Sequence, residues 1–387
     1  MIQNNSIQNC INFRDNNTMT RFLKRRDKIR KALAADHKID ALLITNPINI
    51  RYLTNFTGGA GCLLIQPDGD TLLSDPRFTI QIEEECPGLH AVIRPRHISA
   101  SKTLNDLLKS SPKGGNIRLG FEDASMTVAE KEHYYREIKK AEPVPTQRVV
   151  EKLRSIKDKT EIKEIRKAIG AAHFAFRYIR EFVVKTPDAS EIYIRNLIEF
   201  AMHFADAEDR SFNTIVGAGA RAALPHGVPG SQKIEGQSHL LIDWGCVVNG
   251  YMSDLTRVLI FHPKDKKLRR VYETVLEANE AAIAAIKPGK TCEEIDTISA
   301  KILVKSKLVK KAAHGLGHSF GLEIHEDPRF AQGNKTVLEP GMVLTVEPGI
   351  YLQGFGGVRI EDDILVTKDG CELLSVNVPK QFEDVCL

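Results

Sequence analysis

The stretch LLIDWGCVVNGYMSDLTR, residues 240–257, constrains the fold more than any other part of the chain. Its Asn249-Gly250 pair is the strongest short-range signal of a two-residue hairpin turn. Strands folded about that turn place Val248 opposite Tyr251 and Asp243 opposite Thr256. Asp254 lies two residues from Thr256, and side chains along a strand alternate faces with a period of two. Asp243 and Asp254 therefore point to one face as diagonal cross-strand neighbours, about 7–8 Å apart at Cα. At that spacing two carboxylates can bridge a metal cluster, which directs attention to the rest of the chain for further ligands.

Downstream, HGLGHSFGLEIHEDP carries His314, His318 and His325, MVLTVEPGIYL carries Glu347, and GVRIEDDILVT carries Arg359 and Glu361. Each element alone is weak. Val-Glu-Pro-Gly also reads as a strand end meeting a turn, and a lone histidine in a glycine-rich loop is more often structural than a ligand. The string His325-Glu326-Asp327-Pro328-Arg329 is not the zinc-protease motif, because Arg329 stands four residues after His325 where a second histidine is required. Joint occurrence carries the argument: four acidic residues on apolar strands, with histidines between them. Two unit charges about 4 Å apart repel by roughly 4 kcal/mol at an effective dielectric near 20. Four carboxylates in one pocket need a strong counter-charge to stay ionised, and divalent cations supply it. Four carboxylates and an imidazole form a hard, oxygen-rich donor set that favours Mn²⁺ or a neighbour over a lone structural Zn²⁺.

Flanking patterns give the organisation. RFLKRRDKIRKALAAD, from Thr20 to Asp36, reads as an amphipathic helix with Phe22, Ile29 and Leu33 on one face. Short apolar runs then alternate with turns, and helical stretches fall near 97–111 and 126–141, as in a small α/β domain. A boundary is expected near 150, giving domains at 20–148 and 152–378. The second part repeats at low resolution. Helices near 158–184 and 189–205 precede strands with Asp243 and Asp254, and helices near 264–287 and 291–307 precede strands with Glu347 and Glu361. Two pseudo-symmetric halves meeting at one site are expected.

With 42% hydrophobic and 27% charged residues among 387, the chain reads as a soluble globular protein of two or three domains. Its 54 basic and 50 acidic residues leave a net charge of +4, too balanced for nucleic acid or a membrane surface as the main partner. Seven scattered cysteines, never spaced Cys-x-x-Cys, suit a reducing cytoplasm better than a disulfide framework. No apolar run approaches the ~20 residues of a membrane span. Residues 1–18 lack the marks of a secretory signal; a disordered tail, or a start at Met19, is expected.

The ligand motifs, in this order, resemble those of metallopeptidase family M24, the Xaa-Pro peptidases of the aminopeptidase P and prolidase group. The likeness runs from about 155 to 375. LLITNPINIRYLTNFTG, within 20–145, is similar to the creatinase-type N-terminal domain. The resemblance implies an α/β creatinase-like domain followed by an α+β pita-bread catalytic domain with internal pseudo-two-fold symmetry. It also implies metal ligands at Asp243, Asp254, His318, Glu347 and Glu361, with Asp254 and Glu361 bridging two divalent ions. Those ions are expected to be Mn²⁺, with Co²⁺, Zn²⁺ and Fe²⁺ as alternatives. His226, His325 and Glu347 are implied as catalytic, with Glu347 the proton acceptor, and His314 and Arg359 as substrate-binding.

The expected activity is that of an Xaa-Pro aminopeptidase, acting on peptides with proline in second position. The tertiary amide before proline gives such a dedicated site a chemical reason. Xaa-Pro dipeptidase is the alternative. A methionine aminopeptidase-like enzyme, a metal-free creatinase and a non-catalytic binding protein on the same fold are weaker competitors. A cytoplasmic homodimer is expected, with no nucleic-acid or membrane partner.

Overall fold

The structure is a computed structural model, and it describes residues 16–35, 39–109, 116–139 and 141–387. The expected tail at 1–18 therefore falls outside the described residues as far as residue 15; from Asn16 the chain is helical. The polypeptide divides into two compact units between Arg154 and Ser155.

In the first unit the elements run α1 (Asn16–Ala35), β1 (Ala41–Ile44), α2 (Pro47–Thr54), β2 (Cys62–Gln66), β3 (Gly69–Ser74), α3 (Thr79–Glu85), β4 (His90–Ile93), α4 (Ala100–Lys109), β5 (Ile117–Glu122), α5 (Val128–Tyr135), β6 (Ala141–Thr146) and α6 (Val149–Arg154). The strands form one mixed sheet, ordered β4-β3-β2-β1-β5-β6. Leu42, Leu43 and Ile44 on β1 and Leu63, Leu64 and Ile65 on β2 are wholly buried at its centre. Local signals set the helix starts. Asn46 caps α2 just before Pro47, and Thr127 with Glu130 forms a capping box on α5. The helix expected to run to 141 stops at Tyr135, and Ala141 opens a strand. Its sequence, AEPVPT, contains two prolines, which a helix interior rejects and an edge strand accommodates.

The second unit continues with α7 (Lys159–Lys185), α8 (Glu191–Phe204), β7 (Asp209–Arg210), β8 (Ile215–Ala218), β9 (His239–Trp244), β10 (Cys246–Val248), β11 (Tyr251–Met252), β12 (Leu255–Ile260), α9 (Lys266–Ala285), α10 (Cys292–Lys305), β13 (Gly317–Ser319), β14 (Glu326–Phe330), β15 (Val343–Val346), β16 (Gly349–Leu352), β17 (Gly356–Arg359), β18 (Asp362–Val366) and β19 (Cys371–Leu373). Capping boxes at Asp158/Glu161 and Thr291/Glu294 start α7 and α10.

Asn249 and Gly250 both have positive φ, 51° and 78°, as a type I′ turn requires. The pairing follows: Val248 faces Tyr251 and Asp243 faces Thr256. The long hairpin is nonetheless split between two sheets, β11-β10-β7 and β12-β9-β8. It bends at Gly245, where a Cβ would collide with the Ser253 carbonyl oxygen. The matching half contributes the sheet β14-β13-β15-β18-β19 and the β16–β17 ribbon. An isolated bridge between Thr256 on β12, an edge strand, and Glu361, just before β18, links the two halves. Beneath the first half, Trp244 stacks on Phe176 with ring centroids 4.9 Å apart and donates to the Ala172 carbonyl at 2.9 Å, fixing β9 on α7. Among the described residues no helix is long and apolar enough to cross a membrane.

Candidate metal centre

The acidic residues expected on strands sit mainly at strand breaks. Asp243 lies inside β9, but Asp254 falls between β11 and β12, Glu347 directly after β15, and Glu361 between β17 and β18. A regular ladder would send successive side chains to opposite faces. At each break the backbone turns out of the ladder, which lets side chains from separate strands converge.

Asp254, His318 and Glu361 present one donor atom each within 4.8 Å of one another. His318 Nε2 lies 3.5 Å from Asp254 Oδ2 and 3.6 Å from Glu347 Oε1. The other ring nitrogen, Nδ1, lies 3.1 Å from the Ser319 carbonyl oxygen, which can only accept. Nδ1 therefore carries the proton, and burial pushes the imidazole down to about 4, so the ring is neutral. Its Nε2 lone pair thus faces two carboxylates. Without a cation or a shared proton between them, that arrangement is repulsive.

Asp243 completes the wall. Arg359 Nη2 donates to its Oδ2 at 2.5 Å, while its Oδ1 is buried with no hydrogen-bond partner. An orphaned carboxylate oxygen is costly unless something outside the protein pairs with it. Burial, and the repulsion of neighbouring carboxylates, hold Asp254 and Glu361 well above the usual carboxylate range. Burial pushes Glu347 up to about 7, against the pull of Arg359. Hard oxygens, a neutral imidazole lone pair and an orphaned acceptor on one small cavity fit a divalent cation.

That cavity, of about 530 Å³, is walled by Asp243, Asp254, His318, Glu347 and Glu361, with His226, His325, Phe212 and Ile324 among its other residues. His325 packs edge-on to His318, ring centroids 4.5 Å apart. The loop bearing His226 is held by Glu191, the first residue of α8. Its buried carboxylate accepts from the amides of Ala218 at 2.9 Å and Gly230 at 2.8 Å, and from Arg221 Nε at 2.9 Å. Arg221 also donates to the Val228 carbonyl at 2.8 Å. The sequence offered nothing to single out Glu191 or Arg221.

Arg359 and His314, implied as substrate-binding, are tied to each other through Tyr351. The Arg359 guanidinium is buried behind Asp243. Its Nε donates to Thr256 Oγ1 at 3.0 Å and its Nη1 to the Tyr351 hydroxyl at 2.7 Å. Thr256 in turn donates to Glu361 Oε2 at 2.6 Å, so one arginine braces two of the carboxylates. Tyr351 stands 3.1 Å from His314 Nε2, and His314 lines a separate, much smaller pocket with Asp296 and Ser299. Thr256 and Tyr351 had no sequence signal of their own; Thr256 could have been found from its register opposite Asp243.

Comparison with known proteins identifies the family. Residues 163–368 match Metallopeptidase family M24, and residues 25–156 match the Creatinase/Prolidase N-terminal domain. The Xaa-Pro dipeptidase of Pyrococcus furiosus is 34% identical over 341 residues, 88% of this chain and 94% of that protein. The solved structure of an Xaa-Pro dipeptidase from Bacillus anthracis is similar with a TM-score of 0.87 and 37% identity, covering 95% of this chain and all of that one. An X-Pro aminopeptidase structure from Thermotoga maritima is similar with a TM-score of 0.82 and 30% identity, covering 92% of this chain and 99% of that one.

Proposed function

Because these matches place the chain in metallopeptidase family M24, as an enzyme with a creatinase-type N-terminal domain and a pita-bread catalytic domain, we propose that it is an Xaa-Pro dipeptidase. The observation that carries this reading is the near full-length likeness to relatives of that name. It replaces the aminopeptidase expectation as the principal reading. The aminopeptidase reading keeps one specific support, the likeness to the Thermotoga structure.

The proposed ligands are Asp243, Asp254, His318, Glu347 and Glu361, holding two divalent ions with Mn²⁺ the expected metal. Supporting this are the convergence of Asp254, His318 and Glu361 and the orphaned Asp243 oxygen. When bound, such ions supply an activated water and polarise the scissile carbonyl. The remaining work falls to the protein. Glu347, on the wall of the cavity, is the group proposed to take a proton from the attacking water and return one to the leaving amine. His325 and His226, on the cavity wall, are placed to hydrogen-bond the substrate and the oxygen on which charge develops. Arg359 holds Asp243 and, through Thr256, Glu361 in fixed orientation.

We extend the proposal to a cytoplasmic homodimer. The described cysteines are free thiols, as a reducing compartment requires. On α7 and α8 an aromatic strip, with exposed Phe174 stacked on exposed Phe204 and half-buried Phe182 on exposed Tyr193, is the apolar surface that a second copy would cover.

The deciding assay compares Ala-Pro with Ala-Pro-Ala in Mn²⁺. A kcat/KM at least about tenfold higher for the dipeptide, equivalent to ~1.4 kcal/mol, is expected. Preference for the tripeptide returns the aminopeptidase reading.

A further inference from the structure

The mechanism above leaves a buried ion pair unused. Lys157 lies on the segment before α7, and its side chain is only 1% exposed. Its Nζ is 3.2 Å from Glu326 Oε2 and donates to Ser319 Oγ at 2.7 Å. Its backbone amide donates to the Gly341 carbonyl at 2.9 Å, just before β15, so the lysine is anchored at both ends.

Ser319 follows His318, and Glu326 follows His325. The two are also register partners across β13 and β14, at a point where the ladder shifts between His318 and Ser319. That irregularity takes the backbone out of regular pairing between the two imidazoles, and the ladder alone does not fix how the loop between them is folded. Glu326 fixes it from inside. Its Oε1 accepts from the amides of Leu322 at 3.1 Å and Glu323 at 3.2 Å, so the loop wraps around the carboxylate while Lys157 holds the carboxylate in place. There is little slack: a Cβ on Gly321 would meet Glu326 Oε1 at 3.0 Å and Lys157 Cε at 3.3 Å.

We propose that Lys157 and Glu326 form a positioning pair that sets His318 and His325 at their working separation. The claim rests on the peptidase reading for the role of His325, and on the metal-centre reading for that of His318. Stability alone is a poor explanation for the pair. Two charges taken out of water usually gain little net free energy, and well-packed neutral side chains often replace them without loss. What neutral side chains do not replace is the directed grip on the residues adjoining both imidazoles.

The test uses the full chain and the variants Lys157→Met, Glu326→Gln, the double variant and Lys157→Arg. Each is read by thermal melting, by Mn²⁺ affinity from calorimetry, and by kcat and KM separately on Ala-Pro. Removing one partner leaves a buried charge alone, so the single neutral variants are expected to melt lower. The double variant buries no lone charge and should melt within about 5 °C of the parent, yet lose about 10–100-fold in kcat or Mn²⁺ affinity, the usual cost of disturbing groups behind metal ligands. KM should change by less than about threefold, since uniform substrate binding is not what is lost. Lys157→Arg, which keeps the charge and moves the donor, should fall between parent and double variant.

A folded double variant with parental kcat and Mn²⁺ affinity overturns the proposal. If the double variant does not fold, the same parental values in Lys157→Arg overturn it. A parent that cleaves no Xaa-Pro substrate sinks the peptidase reading instead, while the Mn²⁺ affinities still decide the positioning claim.

Discussion

Thr256→Val isolates the link between the arginine and the carboxylates. Thr256 is fully buried, and valine matches its shape and its preference for a strand. The change deletes one hydroxyl and with it two hydrogen bonds to charged groups, to Glu361 at 2.6 Å and from Arg359 at 3.0 Å. Bonds of that kind contribute about 1.5–3 kcal/mol each. Arg359 keeps Asp243 and Tyr351 as partners, so the guanidinium stays in place; the two bonds sum to about 3–6 kcal/mol, valine's extra buried methyl offsets about 1, and the net loss should be about 2–5 kcal/mol. For a unit of this size that lowers the melting temperature by about 5–15 °C. A second consequence concerns the metal. The Thr256 hydroxyl lowers the proton affinity of Glu361, so its loss raises that affinity, and protons then compete better with Mn²⁺. Mn²⁺ binding should weaken, and more at pH 6 than at pH 8. Differential scanning calorimetry in chelator and calorimetric Mn²⁺ titration at both pH values read the two effects. Melting within about 1 °C of the parent, with unchanged Mn²⁺ affinity, would refute the reasoning, since a lost pair of charged hydrogen bonds cannot be that cheap.

Metal-free protein should be more stable at pH 7 than at pH 8, a window above the range in which buried His318, with its lowered pKa, pulls the other way. Asp254, Glu361 and Glu347 have folded pKa values raised above their unfolded ones, so their stabilising contribution is complete below about pH 4 and is lost as pH rises through the folded values, about 7 for Glu347. Melting curves in chelator check this, and saturating Mn²⁺ should erase the difference; a chelated protein that melts higher at pH 8 contradicts it. Gly250→Ala forces a side chain into the left-handed region at φ 78° and should cost about 1–2 kcal/mol. An unchanged denaturant midpoint would show that the tight turn does not fix the Asp243 register.

The parts of this structure written in local chemistry were legible in the sequence. Asn249-Gly250 set a register that placed Asp243 opposite Thr256, because a two-residue turn leaves no slack in the count. The helices expected near 158–184 and 291–307 match α7 and α10 to within a residue or two, and the structure shows the local reason for their starts in the N-caps Asp158 and Thr291. Contacts between distant segments were not legible. Arg359 reads as one more arginine on a strand until folding brings Asp243, 116 positions away, against its guanidinium. Lys157 meets Glu326 across 169 positions, and nothing near either residue signals the other. The helix expected through 126–141 failed for a local reason that was on view, since Pro143 and Pro145 already forbade a helix beyond the loop. The placement of acidic residues at strand breaks escaped the alternation pattern, which describes only unbroken strands.

The central claim is that Asp243, Asp254, His318, Glu347 and Glu361 enclose two divalent cations. Anomalous diffraction at the manganese edge, from crystals grown in Mn²⁺, tests it directly. Two peaks about 3.5–4 Å apart, with the Asp254 and Glu361 carboxylates between them, are expected. A map with no peak among these five side chains, or with its only peaks elsewhere on the chain, would contradict the account.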